Sequence, residues 1–150
     1  MGVLSNLTEE IKNAMLTKDS VKLESLRAIK SAVLLAETSS GSSGKLSDQE
    51  AIKLLQRLVK QRKDSASIFK EQNRLDLAEH EEAQAKVISA FLPTQFTDKE
   101  IESAIAVIIE TIKANGMKDM GKVMGIASKK LEGKADGKRI SDIVKKKLGA

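Results

Sequence analysis

Residues 46–73 read LSDQEAIKLLQRLVKQRKDSASIFKEQN and contain neither glycine nor proline. Ser47 stands three residues before Glu50, which is the spacing of a capping box, where two side chains satisfy free backbone N–H groups at a helix start. The apolar residues that recur at helical spacing are Ile52, Leu55, Val59, Ala66 and Phe69. The stretch therefore predicts one long amphipathic helix that begins near Ser47.

The chain before this stretch shows the same spacing. Apolar residues recur at Leu4, Leu7, Ile11 and Met15, and then at Leu26, Ile29, Val33 and Ala36. They predict helices over roughly residues 3–27, broken near residues 18–20. Residues 39–44 are only serine and glycine, which predicts an exposed loop because glycine is conformationally loose and serine competes for backbone hydrogen bonds.

The chain after the long helix predicts one more helix and then a boundary. Capping-box spacing recurs at Asp76 with Glu79, as it does at Asn6 with Glu9. We expect the helix to begin at Asp76, to run to Phe91 and to end before Pro93, the single proline. Pro93 then separates an N-terminal helical domain, residues 1–93, from a C-terminal domain, residues 94–150.

Three shorter helices are predicted beyond the proline. The first begins at Thr97, which stands three residues before Glu100, and stops at Asn115 and Gly116; the second stops at Gly133. Their apolar stripes are Ile101, Ile105, Ile108 and Ile112, then Met120, Val123, Ala127 and Leu131, and finally Ile140, Ile143, Val144 and Leu148. Residues 106–109 are strand-like by residue type, but the cap and the stripe favour helix. The predicted fold class is all-α and multihelical.

Composition excludes several classes of protein. The chain has 150 residues, of which 41% are hydrophobic, but only three are aromatic, so its core must be aliphatic. The absence of cysteine excludes disulfides, thiolate metal sites and thiol nucleophiles. No stretch reaches the length of a membrane span, and the first 16 residues carry charges that a signal peptide lacks. We therefore expect a soluble cytoplasmic protein that does not enter a membrane.

Basic charge is concentrated at the C-terminal end. Residues 1–112 carry 15 basic and 17 acidic side chains, whereas residues 113–150 carry 11 basic and 4 acidic side chains. This asymmetry favours a polyanionic partner, most simply nucleic acid, for the C-terminal part. An ordinary solvated basic face, or an acidic protein partner, satisfies the same charges.

Residues 116–123, GMKDMGKV, contain the glycine and lysine spacing of a Walker A loop. Val123 stands where that loop needs a magnesium-binding hydroxyl, and the preceding segment is a predicted helix, so nucleotide binding is disfavoured. We expect Gly116 to stop one helix and Asp119 to cap the next. Gly121 and Gly125 then share a helix face, which serves either close helix packing or the approach of a phosphate to the helix start.

A second glycine segment, residues 133–139 (GKADGKR), predicts an exposed turn with three basic side chains. Cations on an exposed turn contact phosphates without a large desolvation penalty. Aromatic residues are too few for base stacking, so contacts to the nucleic-acid backbone are expected. The candidate nucleic-acid-binding residues are Lys118, Gly121, Lys122, Gly125, Lys129, Lys130, Lys134, Lys138 and Arg139.

Catalytic and metal sites find no support in the sequence. His80 lies among glutamates, with no second histidine and no cysteine to complete a transition-metal site. The serines of residues 39–44 are followed by Lys45, as in some amidase elements, but this composition is too flexible to hold a nucleophile. We therefore expect no catalytic residue, no metal site and no cofactor.

Several unlinked motifs together resemble the YqeY family of small bacterial proteins. The motifs are LRAIK (26–30), QRKDS (61–65), NRLDL (73–77), FLP (91–93), KDMGKVMG (118–125) and GKADG (133–137), and they span nearly the whole chain. The C-terminal part of that family is similar to the tail domain of GatB, a component of the glutamyl/aspartyl-tRNA amidotransferase.

The resemblance implies an N-terminal helical part with a long helix, followed by a small C-terminal three-helix domain like the GatB tail. It also implies tRNA as a partner, through Lys118, Gly121, Lys122, Gly125, Lys134 and Lys138. The catalytic chemistry of GatB lies in a separate domain without a counterpart here. Three hypotheses remain: a noncatalytic tRNA-interacting module, an accessory or regulatory component that contacts amidotransferase subunits, and a protein-interaction module whose basic end maintains solubility.

Overall fold

The computed structural model describes residues 2–39 and 44–149. Within these ranges there are seven α-helices, one short 3₁₀ turn and no strand, which confirms the all-α prediction. The helices are α1 (Leu7–Leu16), α2 (Ser20–Thr38), α3 (Asp48–Glu71), α4 (Leu75–Ser89), α5 (Asp98–Ile112), α6 (Met120–Lys130) and α7 (Gly137–Gly149), and the 3₁₀ turn (Met117–Asp119) precedes α6. None of the described helices is both long and apolar enough to cross a membrane.

The helices form two compact units, Met1–Pro93 and Thr94–Ala150. In the N-terminal unit, α3 and α4 form an antiparallel hairpin, α2 packs mainly against α4, and α1 packs against α2. The reversal between α3 and α4 occurs at Asn73, which adopts a left-handed conformation with φ of 59°. The core is aliphatic, as expected, and its fully buried members are Leu26, Ile29, Leu55 and Ile88.

The C-terminal unit packs α5, α6 and α7 around a second aliphatic core. Each helix contributes one buried stripe, and the stripes are those expected from the sequence. Side chains with at most 2% of their surface exposed are Ile101, Ile105, Ile108, Val123, Ala127, Leu131, Ile140 and Val144. Residues 106–109 are helical, so the strand alternative is wrong.

Two of the four predicted helix caps are present as capping boxes. At α3 the Glu50 N–H donates to Ser47 Oγ (3.2 Å) and the Ser47 N–H donates to Glu50 Oε2 (2.8 Å). At α5 the Glu100 N–H donates to Thr97 Oγ1 (3.2 Å) and the Thr97 N–H donates to Glu100 Oε1 (3.2 Å). Both caps begin with a hydroxyl residue, Ser47 or Thr97, as the strict capping-box motif requires.

The other two predicted caps are wrong. Asn6 precedes α1, but its side chain makes no capping hydrogen bond. Helix α4 begins at Leu75 rather than at Asp76, and Arg74 occupies the cap position. The guanidinium of Arg74 donates to both carboxylate oxygens of Asp76 (3.3 and 3.2 Å), so the aspartate is already occupied by its neighbour.

Two helix boundaries in the first half of the chain differ from the expectation: α1 begins at Leu7 rather than near residue 3, and α2 ends later than expected. The break between α1 and α2 lies at residues 17–19, where Lys18 is left-handed and Asp19 caps α2 by accepting from the Lys22 N–H (3.1 Å). Helix α2 then continues to Thr38, well past the expected end near residue 27, because its apolar stripe continues to Ala36. Of the predicted loop at residues 39–44, residues 40–43 lie outside the described ranges.

The end of α5 also differs from the expectation. Lys113, in a left-handed conformation with φ of 53°, ends the helix, and its N–H donates to the Glu110 carbonyl. Gly116 instead immediately precedes the 3₁₀ turn, with φ of 74° and ψ of −172°. The sequence did not indicate that α5 ends at Lys113, because a residue other than glycine rarely adopts the left-handed conformation that ends a helix.

We predict that Thr97→Ala destabilises α5 by about 1 kcal/mol, because the Glu100 N–H loses its acceptor. Native-state hydrogen exchange of the α5 amides measures the change. Thr111→Ala is the matched control, since the exposed Thr111 hydroxyl only donates to the Val107 carbonyl within the same helix. Equal effects of the two substitutions contradict the capping assignment.

A second prediction concerns acid stability. The backbone N–H and the hydroxyl of Ser47 hold the pKa of Glu50 below its ordinary value of 4.5. A lowered folded-state pKa stabilises the fold above the unfolded-state pKa, and this stabilisation is lost as the pH falls through the folded-state pKa. Glu50→Gln therefore lowers the free energy of unfolding at pH 7 and has less effect at pH 3, as measured by urea denaturation. A pH-independent difference contradicts this account.

Candidate nucleic-acid interface

The outward face of α6 is set by the residues that the helix buries. Val123 and Ala127 have no exposed surface and lie in the core of the C-terminal unit. With 3.6 residues per turn, Lys122, Gly125 and Lys129 lie on the opposite side of the helix, and all three are exposed. Two lysines with a glycine between them therefore occupy the centre of this face.

The exposed glycines of α6 are not packing positions within the described chain. A Cβ built on Gly121 or on Gly125 meets no heavy atom within 4 Å apart from its own helix. The helix-packing interpretation is therefore wrong for the part of the chain that the structure describes. What the glycines do provide is an open stretch of helix surface without side chains, beside Lys122 and Lys129.

The start of α6 differs from the sequence expectation. Asp119 occupies the cap position, but its side chain bonds to no N–H of α6. Its Oδ2 instead accepts from the Asn115 N–H (2.7 Å) and so closes the loop between α5 and the 3₁₀ turn. This carboxylate places negative charge at the start of α6, which opposes the binding of a phosphate to the free N–H groups of the helix start.

The turn between α6 and α7 is hydrogen-bonded to the segment that precedes α5. The Phe96 N–H donates to the Lys134 carbonyl (2.8 Å), and the Gln95 amide donates to the Gly133 carbonyl (2.7 Å). The ammonium of Lys134 lies 5.3 Å from the centre of the Phe96 ring, within the range of a cation–π contact. This turn therefore has a defined conformation, and Lys134 contributes to it while remaining exposed.

Arg139 differs from the exposed candidate lysines because its guanidinium forms hydrogen bonds within the protein. Its Nε and one terminal nitrogen donate to Asp98 Oδ1 (3.3 and 2.6 Å), and that terminal nitrogen also donates to the Phe96 carbonyl (3.1 Å). Arg139 is half-buried, unlike the exposed lysines nearby. It therefore stabilises the start of α5 against the start of α7.

The remaining lysines are distributed over the two ends of an antiparallel α6–α7 pair. Helix α7 packs against α6 and also against the 3₁₀ turn, so its C-terminal end returns toward the start of α6. Lys129, Lys130 and Lys138 are exposed at the turn end, where the Lys138 N–H donates to Asp136 Oδ1 (2.7 Å). The exposed lysines at the other end are Lys118 in the 3₁₀ turn and Lys145, Lys146 and Lys147 of α7.

Two exposed apolar residues in the 3₁₀ turn and α6 were missed by the sequence reasoning. Ile126 is 37% exposed and Met117 is 47% exposed, although both are large and apolar. Ile126 lies outside the buried stripe of Val123, Ala127 and Leu131. Its position relative to this stripe could have predicted from the sequence that its side chain is exposed. Ile126 lies one turn after Lys122 and gives the basic face of α6 an apolar component.

The outward face of α6 is defined by its positive charge. In residues 2–39 and 44–149, no group of three or more histidine, aspartate or glutamate side chains is placed to hold a metal ion. The outward face of α6 carries lysine and isoleucine side chains beside two glycines, and it presents positive charge on an open helix surface.

Comparison with known proteins assigns the sequence to a family. Residues 4–148, nearly the whole chain, match the family described as "Yqey-like protein". The chain belongs to the YqeY family. The YqeY resemblance of the motifs in the sequence is thereby confirmed.

Relatives of this YqeY-family chain fall into two groups. It is 34% identical to the protein "Altered inheritance of mitochondria protein 41, mitochondrial" of Clavispora lusitaniae over 117 residues, which are 76% of this chain and 66% of the relative. It is 29% identical to the protein of the same name from Pyrenophora tritici-repentis, over 99% of this chain and 82% of the relative. It is 42% identical to a glutamyl-tRNA(Gln) amidotransferase subunit of Thermococcus gammatolerans over 86 residues, which are 54% of this chain and 13% of the relative.

These relatives correct one expectation. The cytoplasmic location expected from composition is wrong by this comparison, because the fungal relatives are named as mitochondrial proteins. The composition argument failed because the lack of cysteine reports a reducing environment and does not distinguish one compartment from another. The chain spans 59 to 82% of the length of these first three relatives.

We predict opposite effects of the same substitution at two glycines of the YqeY-family chain. Gly125→Ala stabilises α6 by about 0.5–1 kcal/mol, because an exposed helical glycine with open space around it carries only an entropic cost. Gly116→Ala destabilises the unit by about 1–3 kcal/mol, because its backbone conformation is nearly restricted to glycine. Hydrogen exchange of the α6 and α5 amides measures both changes. Destabilisation by Gly125→Ala contradicts the open surface.

Proposed function

We propose that the C-terminal unit of this protein is a noncatalytic module that contacts the sugar–phosphate backbone of tRNA. The observation that carries the proposal is the outward face of α6, where Lys122 and Lys129 flank the exposed, uncovered Gly125. Relatives of the chain include amidotransferase subunits whose name specifies glutamyl-tRNA(Gln), which supports tRNA among polyanions.

The chemistry of the face favours backbone contacts over base recognition. A lysine ammonium is a compact charge on a flexible stem, which suits a phosphate and does not select a base by paired hydrogen bonds. The absence of a Cβ at Gly121 and Gly125 lets a phosphate and its sugar approach the helix closely. Phe96 is the single aromatic residue of residues 94–150, and the Lys134 ammonium lies over its ring, so base stacking has no platform there.

A second candidate function is an accessory or regulatory component of an amidotransferase that acts through protein contacts. The observation that favours it is the match to the Thermococcus gammatolerans protein, which covers 54% of this chain but 13% of the relative. A similar sequence thus forms a small part of a much longer amidotransferase component. In this alternative, glutamine and ATP are handled by partner proteins, and the exposed Ile126 and Met117 contribute to the contact.

The proposed function predicts the behaviour of a charge-reversal variant. Lys122→Glu with Lys129→Glu weakens the binding of tRNA transcripts roughly tenfold or more, because two phosphate contacts are lost. The dependence of log affinity on log salt concentration becomes shallower by about 0.9 per lost contact. Filter binding or fluorescence anisotropy at several salt concentrations measures both quantities.

A matched control uses the same change elsewhere. Lys30→Glu reverses an exposed charge on α2, in the N-terminal unit, and leaves tRNA affinity and its salt dependence nearly unchanged. Unchanged tRNA binding by the double variant, or an equal loss with Lys30→Glu, removes α6 as the interface. If the double variant also still co-purifies with amidotransferase subunits, that result favours the accessory function.

A further inference from the structure

A chain of polar side chains crosses the aliphatic N-terminal unit and joins three helices. Its centre is Gln84 of α4, which is only 6% exposed. Arg62 of α3 donates from Nε to Gln84 Oε1 (3.1 Å), and the amide nitrogen of Gln84 lies 3.1 Å from Nε2 of His80. The same His80 nitrogen lies 3.4 Å from Oε2 of Glu24 on α2.

The orientation of the Gln84 amide is determined by Arg62. A guanidinium has donors and no acceptor, so the amide oxygen must face Arg62 and the amide NH₂ must face His80. Arg62 is itself held by a hydrogen bond from its Nη1 to the Leu58 carbonyl (3.3 Å). To accept from the Gln84 NH₂, His80 Nε2 must lack a proton, and the neutral ring then carries its proton on Nδ1.

Glu24 competes for the same nitrogen with the opposite requirement. A carboxylate only accepts, so a hydrogen bond from His80 to Glu24 needs a proton on Nε2. That proton places two donors, the imidazole N–H and the Gln84 NH₂, face to face. The contact of His80 with Gln84 and its contact with Glu24 are therefore mutually exclusive.

We propose that His80 is a proton-driven switch between a contact with Gln84 within α4 and a contact with Glu24 of α2. In the neutral state Gln84 is satisfied on both sides, and its bond to Arg62 ties α4 to α3. In the protonated state His80 bonds to Glu24 and ties α4 to α2, while the NH₂ of the buried Gln84 loses its acceptor. This inference concerns the N-terminal unit and does not depend on the proposed tRNA contact.

The charged groups around the switch come from all three helices. Glu24 faces His80 from α2, and Arg62 faces it from α3 through Gln84. On α4 itself, Asp76 lies one turn before His80 and is paired with Arg74, and Glu79 and Glu81 are its chain neighbours.

Nuclear magnetic resonance of the full chain tests the switch, because the sequence contains a single histidine. At pH 8 we expect the Nδ1–H tautomer, with Nε2 unprotonated. As the pH is lowered to 5, the side-chain NH₂ signals of Gln84 move with the same midpoint as the imidazole signals. A proton on Nε2 at pH 8, or Gln84 signals that stay fixed while His80 titrates, overturns the proposal.

A pair of variants provides a second, independent readout. In Gln84→Glu the new carboxylate accepts from both Arg62 and a protonated Nε2, so His80 titrates at a higher pH than in the parent protein. Gln49→Glu makes the same change at an exposed position near the start of α3 and leaves the titration in place. An unchanged midpoint in Gln84→Glu, or an equal shift in both variants, also overturns the switch.

Discussion

Burial of Val123 and Ala127 against α5 and α7 is the contact on which the candidate interface depends. Neither residue retains exposed surface, so this contact determines the rotation of α6 about its own axis. Helix geometry then places Lys122, Gly125 and Lys129 toward solvent. Rotation of the helix by half a turn would bury two ammonium groups, whose desolvation penalty greatly exceeds the gain from apolar burial. The same packing therefore creates the core and the basic face.

Cations in the C-terminal unit have two different physical roles. Arg139 uses its rigid fork of donors to join Asp98 and the Phe96 carbonyl, and the hydrogen-bonded turn at Gly133 and Lys134 fixes the neighbouring part of the same loop region. The lysines on the outward face of α6 extend into solvent instead. A planar guanidinium suits a structural contact between segments, whereas a flexible ammonium suits a mobile phosphate. Net charge alone does not separate these roles, because it counts both kinds of cation equally.

The N-terminal unit shows how one polar chain adds definition to an aliphatic core. Leucine, isoleucine and alanine pack in many combinations of similar energy, so apolar burial alone specifies a helix pair weakly. Gln84 is buried and must find partners for its amide, which restricts the register of α3 against α4 to the one that presents Arg62. The cost of an unsatisfied buried amide therefore converts a permissive interface into a specific one. The Gln84 amide nitrogen contacts His80, whose side chain is 43% exposed, so one partner of the buried amide is accessible to solvent.

Local signals in the sequence determined the helices, their buried stripes and the two strict capping boxes, because each depends on residues at most four positions apart. They also located the basic excess in the last quarter of the chain, whereas Asp76 and Asp119 were misassigned as caps because each carboxylate bonds to another nearby partner. Only the tertiary structure showed that Arg139 is held by Asp98, 41 residues away, that Gly125 faces open space, and that His80 lies between Gln84 and Glu24. The physical reason is that propensity and capping act along the chain, while the partner of a long side chain is decided by which helices pack together.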